Sequence, residues 1–444
     1  VSRDAAIVAA ATPWGRSAIA VIRASGPALD GLVAAWLMPM GPRPLGPSGP
    51  RRVRVRGPDG TVVDDGVALW QRGPRTYTGE DTLEVSIHGN PLLVELALQG
   101  AVAAGARLAD PGAFTRRAVA LGRMDLLAAE GVDQAIRATS LAGLQIARDG
   151  LDGRVRAALE PLRSALLDVG AELEARLDYP ADELAFEDDA ALLARLADAA
   201  ARARALADTA AAGRVLVDGA RVALVGAVNA GKSSLFNALC GSRRALVHDR
   251  PGTTRDVLEL PVRIGGLQLT LLDTAGERQT DDPIEAAGQA LARELVADAD
   301  LLLVVLRAGP PSEVEATLLA RTADRPRLVV YNGIDRPGAP PAPPGAWPTS
   351  AHTGAGLDAL RAALVDRLVA APTGGLRLGS TRQRDLLRAF ADAADAAAEA
   401  LPLAGPAVAA EEVLRAIGEI DALTGADPRE AVLDAVFRRF CIGK

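Results

Sequence analysis

The period at which apolar residues recur changes along this 444-residue chain, and each change predicts a different architecture. Near the start the period is two. Residues 7–11 and 18–23 are short apolar runs, and 52–56, 66–70 and 82–88 alternate apolar with polar positions, the pattern of half-buried strands. A Pro/Gly-rich loop lies over 39–50, and 91–106 takes up helical spacing. From 114 to about 216 the spacing is helical and rich in Ala, Leu and Arg. It is broken once, at Leu177-Asp-Tyr-Pro-Ala-Asp-Glu-Leu184, where proline stops a helix.

Residues 219–370 then alternate strand with helix. The run 221–225 (apolar after Arg221) and the continuously apolar runs 301–306 and 328–331 read as parallel strands covered on both faces. Residues 257–262 and 267–272 flank Gly265-Gly266 and read as a hairpin, and the Pro-rich 337–348 reads as a surface loop. After a turn-rich linker at 371–379, residues 382–440 are helical but too few for a core of their own, so they should pack on the earlier helices. The expectation is a multidomain chain: an α+β domain over 1–118, a discontinuous α-helical domain over 119–217 and 376–444, and an inserted α/β domain over 218–375. No internal repeat is evident.

Composition narrows the class. The chain is 49% hydrophobic but only 3% aromatic, and no apolar run reaches the ~18 residues of a membrane span. The first residues lack the apolar core of a signal peptide, and two cysteines make no disulfide framework, so a cytoplasmic location is expected. Three scattered histidines argue against structural zinc. A net charge of −7 argues against a dedicated nucleic-acid binder and against DNA, leaving room for a local basic patch on RNA.

Of 49 basic residues only Lys232 and Lys444 are lysine. A lysine kept against that bias marks a place for a compact ammonium on a thin stem. Lys232 closes Gly226-Ala-Val-Asn229-Ala230-Gly231-Lys232-Ser233-Ser234, between an apolar strand and a helix. That is a phosphate-binding loop: backbone N–H groups and the helix N-terminus hold phosphate, Lys232 reaches the β/γ oxygens and Ser233 ligates Mg²⁺. Downstream come Gly252-Thr253-Thr254-Arg-Asp256, then Asp273-Thr274-Ala275-Gly276 at a strand end, then Asn332-Gly-Ile-Asp335, then Ser350-Ala351-His352. Asp273 suits Mg²⁺ through water, Gly276 the γ-phosphate, and Thr254 the metal shell. The Asp335 carboxylate can accept the guanine N1 and N2 protons, which adenine lacks, with Ser350 and Ala351 offering backbone contacts to the base. The order is that of a Ras-like P-loop GTPase; an ATPase or an inactive P-loop fold is the alternative. Where GTPases usually carry lysine after the asparagine, this chain has Gly333, so one face of the base loses its cover and weaker retention is expected.

With Gly252-Thr-Thr-Arg-Asp256, Cys441-Ile-Gly-Lys444, Ile7-Val-Ala-Ala-Ala-Thr-Pro-Trp-Gly-Arg-Ser17, Tyr77-Thr-Gly-Glu-Asp81, His88-Gly, Pro111-Gly-x-Phe-Thr115 and Met124-Asp-Leu in view, the chain resembles the MnmE (TrmE) family of tRNA-modification GTPases from its first strand to its last residue. The resemblance implies a homodimer formed through N-terminal domains that each bind a 5-formyltetrahydrofolate-type donor. It implies a flavoprotein partner, MnmG (GidA), in a heterotetramer, and addition of a carboxymethylaminomethyl or aminomethyl group to C5 of wobble uridine 34 in certain tRNAs. It also implies hydrolysis driven by K⁺-dependent pairing of G domains. Carried over position by position, Asn229 resembles a K⁺ ligand, completed by the loop around His248, Arg250 and Thr253, with Asp249 and Pro251 in the same loop against the nucleotide. Thr254 joins Ser233 on Mg²⁺, and Glu285 resembles the residue that orients the attacking water, with Glu277 its rival. Arg23, Glu80, Arg123 and Lys444 fall on folate positions, with Arg123 replacing an expected lysine; ordinary surface ion pairs are the alternative for each. Cys441 is either a nucleophile near the folate or a small packed residue, and Cys240 reads as core. The acidic stretch 178–189 reads as a solvated turn rather than a metal site. Arg52, Arg54, Arg56, Arg116 and Arg117 either meet tRNA phosphate or form the wet side of sheet and helix. Two other functions compete: an Era-type ribosome-assembly GTPase, and a folate-dependent one-carbon transferase with a merely structural nucleotide.

Overall fold

The computed structural model describes the chain except for residues 1–4, 43–44, 48, 180–185, 242–257, 274–296, 311, 370–374, 427–435, 438–439 and 444. Two compact units emerge, Val1–Asp133 with Asp149–Ala201 and Ala389–Lys444, and Gln134–Arg148 with Arg202–Arg388.

The first unit holds a seven-stranded sheet in the order β3-β4-β5-β6-β2-β1-β7, from β1 (Ile7–Ala10), β2 (Ile19–Gly26), β3 (Leu37–Pro39), β4 (Arg51–Arg56), β5 (Val62–Gln71), β6 (Asp81–His88) and β7 (Arg107–Leu108). Alternation sets its faces. Ile22, Ala24, Val53, Val55, Ala68, Trp70, Leu83 and Val85 share one apolar core with residues of the helices α1 (Asp30–Trp36) and α2 (Pro91–Ala103). Arg52 and Arg54 are exposed between buried valines, and Arg54 lies 3.6 Å from Asp65, so this arginine ladder is the wet side of a strand. Sequence periodicity missed β3 and α1, which are short. It placed the strand at 66–70 but not its extension back to Val62.

Helices α3 (Ala113–Ala120), α4 (Leu126–Arg137), α5 (Leu141–Leu151) and α6 (Arg154–Asp178) follow; α6 ends just before the proline expected to stop it. The end of α4 and most of α5 belong to the second unit; within the first, Arg163 of α6 donates to Asp421 at 2.8 Å, and a methyl group of Val413 lies 3.4 Å from where a Cβ on Gly170 would stand. The late helical segment therefore packs on the early helices, as its size demanded. After the break comes α7 (Asp189–Ala207), and the acidic residues flanking the break are paired: Arg176 meets Glu172 and Asp189, and Arg195 meets Glu187.

The second unit contains α8 (Ala210–Asp218) and a six-stranded sheet in the order β13-β12-β11-β8-β10-β9. Its strands are β8 (Ala220–Val225), β9 (Leu258–Ile264), β10 (Leu267–Asp273), β11 (Leu301–Arg307), β12 (Arg327–Asn332) and β13 (Ala346–Thr349). All pairings are parallel except the β9–β10 hairpin, which turns at Gly265-Gly266 as the pattern predicts. β11 reads Leu-Leu-Leu-Val-Val-Leu-Arg and is buried until its last residue, as a central parallel strand must be. β13 lies in the stretch expected to be loop: Pro348 breaks the strand signal, and an edge strand tolerates proline. The helices after the sheet strands include α9 (Lys232–Cys240), α10 (Glu313–Arg321) and α11 (Leu357–Val369). Cys240 packs against the core of this unit.

Candidate functional site

Every nucleotide motif within the described residues lies at the carboxyl end of a parallel strand. Gly226 follows β8, Asp273 ends β10, Asn332 ends β12, and Ser350 follows β13. β8 has β10 on one side and β11 on the other, so strand order reverses beside it, and a crevice opens at such a point.

The loop after β8 is built by close approaches. A Cβ on Gly226 would stand 2.5 Å from the Val305 carbonyl oxygen, and one on Gly231 would stand 2.3 Å from Asn332 Nδ2. Gly231 has φ +91° and caps α9, while Asn229 adopts φ +63°, the left-handed region that asparagine tolerates. These turns leave Asn229, Ser233 and Ser234 exposed and Ala230 and Lys232 buried. Lys232 Nζ donates to the Gly226 and Ala227 carbonyl oxygens at 2.9 and 3.0 Å. Burial holds its pKa below the ordinary lysine value, and the negative charge of Asp273 partly offsets this. Asp273 Oδ1 is buried and has no hydrogen-bond partner among the described residues. An orphaned carboxylate oxygen is costly unless something cationic claims it. With the exposed Ser233 hydroxyl at the start of α9, the donor set is the hard-oxygen kind that suits Mg²⁺.

The base end is equally ordered. Asn332 is buried; its Nδ2 donates to Ala230 O at 3.4 Å and its Oδ1 accepts from Ala351 N at 3.1 Å. Gly333 and Ile334 N–H groups both donate to Thr349 O. A hydrogen bond from Ser350 holds the Asp335 carboxyl below the usual carboxylate range, and the neighbouring Arg336 acts in the same direction. Ser350 Oγ also accepts from the His352 and Thr353 N–H groups, which fixes the turn. His352 itself is exposed. His248, Asp249, Arg250, Pro251, Gly252, Thr253, Thr254, Thr274, Ala275, Gly276, Glu277 and Glu285 lie outside the described residues.

A second polar cluster lies in the first unit. Arg23 donates through Nε and Nη2 to Glu84 Oε1 at 2.9 and 2.7 Å, and through Nη1 to Gly443 O at 3.2 Å. Its guanidinium carbon stands 6.0 Å from the Tyr77 ring centre and 5.9 Å from that of Phe114. Glu80 Oε2 accepts from Arg117 Nη1 at 2.8 Å and from Ser25 Oγ at 3.4 Å. Arg123 Nε donates to Thr76 O at 3.1 Å. Gly112 N donates to Cys441 O at 3.4 Å, and Gly443, at φ +95°, has no room for a Cβ beside Ala10 O, which would lie 2.4 Å away. The structure thus joins the chain's first strands to Cys441–Gly443; Cys441 is exposed rather than packed, and Lys444 lies outside the described residues.

Comparison with known proteins decides the family. Residues 6–123 match the family described as GTP-binding protein TrmE N-terminus, and residues 126–441 match the MnmE helical domain. The tRNA modification GTPase MnmE of Parasynechococcus marenigrum (strain WH8102) is 42% identical over 449 residues, covering 99% of this chain and 98% of that protein. Those of Chloroflexus aurantiacus and Myxococcus xanthus are 40% and 39% identical, covering 99% of each chain and 100% of each chain, respectively. The chain belongs to the MnmE (TrmE) family.

Within the MnmE frame the sequence reading needs one correction and several additions. Arg117 is no phosphate-facing surface residue. It is 7% exposed and spends its guanidinium on Glu80, Ser25 O and Ala5 O. Helical spacing does not show this, because its partners lie on strand and loop segments at least 37 residues away. Glu84, the partner of Arg23, was missed for the same reason. His88 is exposed at the end of β6, and its Nδ1 lies 2.9 Å from Asp64.

Proposed function

We propose that this GTPase of the MnmE family couples K⁺-stimulated GTP hydrolysis to modification of C5 of the wobble uridine, position 34, in tRNA. The reaction would add a carboxymethylaminomethyl or aminomethyl group with MnmG (GidA) as flavoprotein partner and a 5-formyltetrahydrofolate-type donor. The assembly would be a homodimer, or a heterotetramer with MnmG, acting in the cytoplasm. The observation that carries the nucleotide half is the joining of phosphate loop and base loop by one buried amide, Asn332, beside a carboxylate able to read guanine. The full-length kinship with proteins named tRNA modification GTPases supports the RNA half.

Phosphate oxygens are stronger acceptors than the Gly226 and Ala227 carbonyls, so the Lys232 ammonium transfers to the β/γ oxygens and meets charge that builds there. Backbone N–H groups from Asn229 to Ser234 hold the phosphates. Ser233 and Asp273, with Thr254, would hold Mg²⁺, which supplies charge neutralisation at the phosphate oxygens. Asn229, with His248, Arg250 and Thr253, would hold K⁺; Glu285 would orient water. Residues 1–118 would carry the folate and dimer functions, 119–217 with 376–444 the helical domain, and 218–375 the G domain.

At the second cluster, Arg23, Glu80, Arg123 and Lys444 would meet the folate, with Cys441 close by. A ligand carboxylate there competes with Glu84 for Arg23, and Tyr77 and Phe114 offer apolar ring surface to a flat pterin.

Two measurements test the reading. GTP turnover by the purified chain should rise in K⁺ relative to Na⁺; equal rates in both refute the K⁺ switch. Nucleoside analysis of tRNA after gene deletion should show the position-34 modification missing; unchanged wobble uridines refute the RNA half.

A further inference from the structure

The residue after Asn332 is glycine, and the structure shows what stands in its place. Gly333 is buried at φ +94°, in a turn that Arg336 N closes onto Gly333 O at 3.1 Å. A Cβ built on Gly333 would stand 3.1 Å from Arg336 Nε, 3.4 Å from its Cδ and 3.5 Å from its Cζ. The turn folds the arginine back, so that its Nε packs closely against the place a Cβ at 333 would take. Gly333 lies between Asn332, which is tied to the phosphate loop, and Asp335, which is held by Ser350.

We propose that Arg336 supplies the base cover that Gly333 lacks, its planar guanidinium stacking on one face of the guanine. This rests on the base-pocket reading above and names a further specificity and retention residue within it. A guanidinium is flat, delocalised and weakly hydrated, so it stacks on π-faces where an ammonium does not. Stacking of arginine planes on nucleobases is a general recognition device. The work is then divided: Arg336 grips any purine, and Asp335 discriminates guanine through the N1 and N2 protons. Glycine at 333 becomes a requirement of this arrangement, since a side chain there would displace the guanidinium and strain a positive φ.

Equilibrium binding of GDP and IDP to the full chain tests it. IDP lacks the N2 amine but keeps the rings. Arg336→Ala should weaken GDP and IDP by the same factor, about fivefold to tenfold. It should leave the unfolding midpoint without nucleotide unchanged, because the side chain is exposed. Arg336→Lys should recover little, since an ammonium does not stack. Asp335→Ala should instead abolish the preference for GDP over IDP. Unaltered affinity in Arg336→Ala, with the preference lost in Asp335→Ala, overturns the inference and leaves the pocket standing. A loss in Arg336→Ala confined to GDP overturns stacking as the cause. If neither variant changes either nucleotide, the base-pocket reading fails with it.

Discussion

Asn332 reaches back 102 residues along the chain to Ala230, placing its amide Nδ2 3.4 Å from a carbonyl oxygen of the phosphate loop. Its other end accepts the Ala351 N–H at 3.1 Å, so one buried side chain links the loops that would meet the two ends of a nucleotide. Asn332→Ala leaves an N–H and a carbonyl without partners and should cost about 1–3 kcal/mol of stability. Asn332→Asp should rescue neither property, because it sets an acceptor against the Ala230 oxygen. Urea unfolding and GDP titration check both variants; a stable Asn332→Ala chain that retains GDP would disprove the link.

Lys232 presents the sharper test of chemistry. Lys232→Ala should slow phosphate release by about 10²-fold or more, the scale on which a preorganised charge acts. Lys232→Arg should do no better, because the guanidinium fork is too wide for a buried slot floored by two loop carbonyls. Single-turnover phosphate release separates this from weakened binding. An arginine variant at near-native rate would show that charge alone suffices.

Glu84 should compete with the folate proposed for this cluster. Its carboxylate holds the Arg23 guanidinium through two hydrogen bonds, and Glu84→Gln removes the opposing charge. Affinity for 5-formyltetrahydrofolate should rise by up to about fivefold, the range of a partly exposed ion pair. Calorimetric titration reads this directly. A fall in affinity would instead make Glu84 one of the ligand's own contacts.

The Glu80–Arg117 pair should be costly to break. Both side chains are largely buried, so removing either leaves an uncompensated charge worth about 3–5 kcal/mol. Arg117→Ala and Glu80→Ala should therefore destabilise the first unit comparably. Replacing both with apolar residues should cost less than either single change. Denaturant melts of the three variants decide it, and a neutral Arg117→Ala would return that arginine to the surface role its spacing suggests.

His88 should titrate late. Its hydrogen bond to Asp64 raises its pKa above the ordinary 6.5, with the charges of Asp64 and Asp65 adding to the effect. Because the folded-state pKa is the higher, the stabilisation is complete below about pH 6.5 and fades as pH climbs through the folded value. Asp64→Asn should bring the imidazole midpoint in an NMR titration back toward 6.5. An unchanged midpoint would exclude the pair as the cause.

Much of this was readable from local pattern. The phosphate loop, the hairpin at Gly265-Gly266, the buried run of β11 and the helix stop near Pro180 each depend on residues within a few positions, where periodicity and turn chemistry act. Gly333 was legible as a missing side chain, but not that Arg336 folds into the gap, since that follows from the turn's geometry. Edge strand β13 stayed hidden because pairing with β12, rather than propensity, makes a strand of a segment containing Pro348. Nor could spacing show that Arg23 meets Gly443 across 420 residues, or that Arg117 is buried on Glu80. The linear order of residues determines which chemistry is available and how each short segment prefers to fold. Which charges are spent on one another is decided only when distant segments close together, because Coulomb and hydrogen-bond energies depend on separation in space.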